Sequence, residues 1–207
     1  PLRCMIFLAC EWPAIKHSPL KRTAESVARY RQARYGCEEA LREADVTVGR
    51  WLNEQFPGYR HLRPAMKTAV RDFSVVWAMF EGKCLGMEAS SKSISQFVNG
   101  LRNVSRTRRQ LDQPIAYFRH RYLDAADAEE RLDALCGKVT GDKGRVHQLA
   151  TGQPADQIEG LIYVVKRLRN NLLHGPKWQY SLEGDEGNFR HANQSLMVLL
   201  AFAPKDS

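Results

Sequence analysis

One stretch near the C-terminal end, Lys166-Arg167-Leu168-Arg169-Asn170-Asn171-Leu172-Leu173-His174-Gly175-Pro176, carries groups that could hold a phosphate and move a proton. An arginine offers a planar fork of N–H donors that fits two phosphate oxygens at once. A histidine is the side chain whose ordinary pKa lies nearest neutrality, so it can give or take a proton at physiological pH. Together with an amide to orient the histidine or a bound phosphate, these side chains could combine phosphate binding with proton transfer.

The element that must position them is a helix. Ile158, Leu161, Val165, Leu168 and Leu172 recur at steps of three and four, the period of a buried helical stripe. Gly175 suits a left-handed C-terminal cap and Pro176 cannot continue the hydrogen-bond ladder, so the helix is predicted to stop beside His174. There the macrodipole favours the imidazolium while Arg167 and Arg169 oppose it, which leaves a pKa within reach of neutrality. Arg169 and His174 are five residues apart, roughly 140° round an ideal helix, whereas Asn170 and His174 share a face, as do Arg167, Asn171 and His174. Arg169 lies about 40° round from Val165, at the edge of the apolar stripe, where its charge must be paired or face a wet cleft. Joint action of Arg169 and His174 therefore calls either for a distorted last turn or for a second copy of the helix.

The string Arg169-Asn170-x-x-x-His174 resembles the R-polar-x-x-x-H signature of the HEPN superfamily, and the run from Tyr163 to Trp178, with Asn188-Phe189-Arg190 and Ala192-Asn193 after it, is similar to bacterial members whose signature reads RNN, two apolar residues, then HG. The resemblance covers roughly residues 65 to 203. It implies an all-α, up-and-down helical bundle over 61–207 behind an N-terminal helical extension at 1–60, and an endoribonuclease that needs no metal or other cofactor. It further implies a homodimer whose paired signatures line a cleft. Arg169, Asn170 and His174 would be the catalytic set, with Arg169 on the scissile phosphate, His174 as general acid or base and Asn170 orienting the histidine or the phosphate. Asn171, Lys177 and Arg167 would be outer substrate contacts. A toxin or phage-defence effector restrained by an antitoxin or other regulatory protein is one setting for such an activity. Some members of the superfamily have lost catalysis and bind RNA or a nucleotide, or assemble complexes, and that alternative stays open.

The rest of the chain bears on the partner. The 207 residues permit one domain with an extension or two small ones; 43% are hydrophobic and 26% charged, and the formal charge is +8. A basic balance points to a polyanion, nucleic acid before membrane. Ser90 to Leu111 reads as one helix with Ile94, Phe97, Val98, Leu101 and Val104 inward, and its far end carries Arg102, Arg106, Arg108 and Arg109 with no acid before Asp112. Tyr117-Phe118-Arg119-His120-Arg121-Tyr122 follows, alternating basic and aromatic residues. Arg106, Arg109, Arg119 and Arg121 could grip phosphates while the rings stack on unpaired bases; equally, the rings could plug the core and leave the arginines wet.

From Arg63 to Leu85, Met66, Ala69, Val70, Phe73, Val76, Trp77, Phe80 and Cys84 form a wide stripe that predicts a central core helix. Asp124 to Leu135 reads as a short acidic helix, Thr140 to Pro154 as a glycine-containing connection, and Glu183 to Gly187 as an acidic turn. A closing helix begins at Asn188 as N-cap, with Phe189, Ala192, Leu196, Leu199 and Leu200 inward. Residues 21–44 read as a charged helix. Val46 to Leu52 begins a second, ending at Pro57-Gly58, and this pair could read DNA through Arg50 and Trp51 or pack through Trp51, Leu52 and Phe56. A DNA-binding regulator is thus the third functional class.

Five dispersed cysteines without a C-x-x-C fit reduced thiols in a cytoplasm better than zinc or disulfides. Phe7 to Cys10 is too short an apolar run for a lipoprotein signal, no segment reaches the ~20 apolar residues of a membrane span, and Pro1 to Cys4 ahead of Met5 reads as a leader or processed end. The chain has no G-x-x-x-x-G-K, G-x-G-x-x-G, G-x-S-x-G or H-E-x-x-H string.

Overall fold

In the computed structural model the described residues are 49–55, 57–137, 139–174, 182 and 184–203, and all regular structure among them is helical. The charged helix expected at 21–44 lies outside them. Residues 49–55 form α1, followed by a single turn, α2 (Pro57–Arg60), α3 (Pro64–Cys84), α4 (Ser91–Gly100), α5 (Val104–Gln110) and α6 (Asp112–Arg119). A π-helical turn His120–Asp124 leads to α7 (Ala128–Cys136), then come α8 (Thr140–Val146), a 3-10 turn His147–Ala150, α9 (Pro154–His174) and α10 (Glu186–Phe202). The all-α class that the resemblance implies is therefore what the described residues adopt.

The centre of the bundle is α9. Its predicted stripe is buried at every position, Ile158, Leu161 and Val165 completely and Leu168 and Leu172 at 2% exposure. The burial is wider than the stripe, because every residue from Gly160 to Val165 is buried. A helix enclosed on all sides must be wrapped by others, and α9 packs on α4, α5, α6, α7, α8, α10 and the 3-10 turn. Toward the C-terminus, one side emerges from Lys166 onward. Gly160 permits a close approach of backbone to α9: a Cβ there would stand 3.0 Å from both the Arg145 carbonyl oxygen and the Leu149 amide nitrogen.

The second long rod, α3, opens with Pro64 in its first turn, where the missing N–H costs nothing. Met66, Val70, Phe73, Trp77 and Phe80 are buried as the spacing predicts. It lies against α10, with the Phe73 and Phe189 rings 5.2 Å apart and the Asn193 amide donating to the Ala69 carbonyl at 3.1 Å.

Several local expectations are corrected. The helix predicted from Ser90 to Leu111 is two helices. Ser90 starts the first with a reciprocal capping box to Ser93; the chain then runs extended at Leu101, and the Asn103 side chain accepts from the Arg106 amide at 2.9 Å to begin the second. Leu101 stays buried at 6% exposure, so the break keeps the apolar register.

The stretch Thr140 to Pro154, read as a connection, is largely helical because Val146 and Leu149 are fully buried anchors. The short helix expected to end at Pro57-Gly58 is described over 49–55, and Pro57 itself opens the further turn α2. The closing helix starts at Glu186, two residues before the expected cap; Asp185 takes the N-cap position, and the Asn188 amide donates to its carboxylate at 2.7 Å.

Candidate functional site

The signature sits where α9 leaves the core. Arg169 is half-buried, with its side chain 30% exposed. Its Nη1 donates to Asn170 Oδ1 at 3.1 Å, and its Nη2 stands 3.5 Å from Glu81 Oε2 on α3. The same carboxylate oxygen accepts the Trp77 indole N–H at 2.9 Å. The guanidinium is thus paired, as its place beside the apolar stripe requires. Its Nε is buried without a hydrogen-bond partner among the described residues. Leu173, one turn beyond Arg169 and next to the end of the helix, is 55% exposed. His174 is the last residue of α9, and Lys177 and the Gly175-Pro176 stop lie outside the described residues.

Arg167 and Asn171, one turn apart, face the other way. Arg167 Nε donates to the Leu135 carbonyl at 3.1 Å and Nη2 to the Cys136 carbonyl at 3.0 Å; Asn171 Nδ2 donates to the Leu135 carbonyl at 2.9 Å. Those carbonyls end α7 and have no intrahelical partner, and the negative end of the α7 dipole favours a cation there. Arg167 Nη1 also lies 3.6 Å from Asp142 Oδ2, and the arginine side chain is 14% exposed. The structure therefore uses both residues to fasten α9 to α7. The neighbouring Cys136 is buried, and burial pushes its thiol up to about 11, so it stays protonated at neutral pH.

The basic and aromatic segment divides. Phe118 and Tyr122 are core residues at 0% and 4% exposure, and burial drives the Tyr122 phenol up. Tyr117 is half-buried; its hydroxyl donates to Asn188 Oδ1 at 3.1 Å and its ring stacks on His191 with centroids 4.1 Å apart. Gly187 makes room for it, since a Cβ there would meet the Tyr117 hydroxyl oxygen at 2.5 Å.

The rings thus fill the protein, the plainer of the two expectations, and none of the three is an exposed stacking platform. Arg121 is held by Asp185 at 3.2 Å and lies over the Tyr122 ring. Arg119 is exposed and paired with Asp124 at 3.2 Å. Arg106 and Arg109 are exposed on α5, Arg106 lying 5.7 Å from the centre of the Phe202 ring. Arg108 is tied to Asp112 and Gln157.

Glu81 and Trp77 are the members of the Arg169 cluster that sequence reasoning did not place in a site. Trp77 was readable as core, and nothing local marks Glu81 as the partner of an arginine 88 residues later. Among the described residues, no group of three His, Cys, Asp or Glu side chains gathers as a metal site, and no helix is long and apolar enough to cross a membrane. Compared with protein-family models, curated proteins and solved structures, the chain matches none of them.

Proposed function

We propose that the chain is a HEPN-type, metal-independent endoribonuclease acting on single-stranded RNA, with Arg169, Asn170 and His174 as its working groups. The observation that carries the reading is the state of Arg169 at the end of a buried helix. Its side chain is half-buried yet 30% exposed, and its guanidinium is steadied by Asn170 on one side. An arginine so placed can bind a phosphodiester and stabilise the extra charge of the phosphorane-like transition state, worth on the order of a few kcal/mol where water is excluded. His174 would take the 2′-hydroxyl proton or return one to the leaving 5′-oxygen.

The angular separation of Arg169 and His174 on α9 supports a homodimer, with the partner's helix completing the site, and the exposed Leu173 offers an apolar contact there. Arg106, Arg109 and Arg119 are exposed cations suited to the RNA backbone. An effector held in check by a regulatory protein suits an activity of this kind.

The second reading is a catalytically silent HEPN module that binds RNA or a nucleotide, and one observation favours it. Glu81 already offers Arg169 a carboxylate, as expected of a structural ion pair.

Incubation with labelled single-stranded RNA in EDTA decides between them. Cleavage that leaves 2′,3′-cyclic phosphate ends and disappears in Arg169→Ala and His174→Ala, with helical circular dichroism intact, supports the enzyme. Undiminished cleavage in both variants removes the residue assignment, and RNA binding without cleavage supports the silent module.

A further inference from the structure

We propose that Glu81 is a resident anion at the Arg169 site: its carboxylate holds the place that a phosphodiester oxygen takes when RNA binds, so that RNA must displace it from Arg169. The inference rests on the ribonucleic-acid reading of the signature and assigns a role to a residue outside it.

Three features carry it. The pairing is loose, because Arg169 Nη2 lies 3.5 Å from Glu81 Oε2, beyond a normal charge-assisted hydrogen bond. The carboxylate has a second anchor independent of the arginine, since Trp77 Nε1 donates to that same oxygen at 2.9 Å. Losing Arg169 to a phosphate therefore leaves Glu81 hydrogen-bonded. Both side chains reach solvent, at 19% exposure for Glu81 and 30% for Arg169, so an incoming anion can arrive without unpacking the core.

Arg169 also keeps its contact with Asn170 on Nη1, on the opposite arm of the fork. Exchange of carboxylate for phosphate on Nη2 thus needs no rotation of the guanidinium. The carboxylate satisfies the arginine when RNA is absent and competes with phosphate when it is present, and Trp77 fixes where that competition takes place.

The test measures binding rather than cleavage, using a 2′-O-methyl oligoribonucleotide that lacks the attacking hydroxyl. Glu81→Gln keeps an oxygen for the Trp77 indole and removes the charge. Affinity should rise about two- to five-fold, the range that corresponds to releasing a partly exposed ion pair. The same substitution in an Arg169→Ala chain should change affinity less than two-fold. Glu81→Asp, which keeps the charge and draws it back by one methylene, should shift affinity in the same direction by less, and serves if Glu81→Gln folds poorly.

Weaker binding in Glu81→Gln, or an equal gain with and without Arg169, overturns the proposal. Equal affinity of the wild-type and Arg169→Ala chains overturns the phosphate site and the proposal with it. Arg169-dependent binding without cleavage of ordinary RNA overturns only the nuclease step.

Discussion

Arg167 and Asn171, one turn apart on α9, donate to the same acceptor, the Leu135 carbonyl, at 3.1 and 2.9 Å. Two side chains of the central helix thereby close the C-terminal end of α7. Arg167→Ala should cost about 2–4 kcal/mol of stability, because it strips charged donors from buried carbonyls and leaves Asp142 without its cation. Arg167→Lys should recover little of this, since one ammonium cannot span the Leu135 and Cys136 oxygens as the fork does. Urea unfolding followed by circular dichroism measures both; a variant within about 0.5 kcal/mol of wild type would show the clamp to be idle.

Exchange of Gly160 for alanine should destabilise by about 1–3 kcal/mol, even though alanine favours helix by about 1 kcal/mol over glycine. The new methyl would press on two backbone atoms at 3.0 Å, and backbone yields less easily than a side chain tip. Gly187→Ala is the companion case, in which the Tyr117 hydroxyl must move and its bond to Asn188 is broken. A melting temperature raised by Gly160→Ala would contradict the close approach of α9 to the turn before it.

Acid should weaken the fold through His191. This side chain is 6% exposed, stacks on Tyr117 and sits edge-on to Phe118, with Nδ1 unpartnered among the described residues. Burial first, then the Arg190 charge, lowers its pKa below the ordinary 6.5. The unfolded chain therefore binds a proton at a pH where the folded chain does not, so stability is fully present above about 6.5 and is lost as pH falls through the depressed folded value. His191→Phe keeps a ring against Tyr117 and should show a shallower decline between pH 7.5 and pH 5 than wild type. Parallel melting-temperature profiles for the two chains would refute the assignment.

Arg106 and Arg109 should matter for RNA and not for folding, as both are exposed on α5. Replacing both with alanine should leave the melting temperature nearly unchanged and reduce the slope of log affinity against log salt by about 0.7 for each phosphate that is no longer neutralised. An unchanged slope would place the backbone path elsewhere.

The long rods were readable from the amino-acid sequence because their apolar residues repeat over about four turns. In α3, Met66 to Phe80, and in α9, Ile158 to Leu172, the spacing and the burial coincide. The break before Asn103 was not readable, because Phe97, Val98, Leu101 and Val104 keep helical spacing across it, and a capping asparagine looks like any exposed one until the N–H that donates to it is seen.

Helix α8 was hidden by Gly141 and Gly144, which lower helix propensity, while the burial of Val146 against α9 overrides them. For the candidate site, the adjacency of Arg169 and Asn170 was legible, being local, but their mutual hydrogen bond was not, because helical spacing puts Asn170 on the face of His174. Glu81 and the α7 carbonyls were not, since a counter-charge or an acceptor brought from another helix leaves no trace in the spacing of either segment.

The grip on α9 is complete over residues 160–165 and, toward the C-terminus, opens from Lys166 onward. A shaft seated this way has no play in its bearing, so its protruding tip is aimed by the whole bundle rather than by its own last turn. Whatever docks at that tip meets a guanidinium whose backbone has already been fixed by folding, and little ordering remains to be supplied at the moment of encounter.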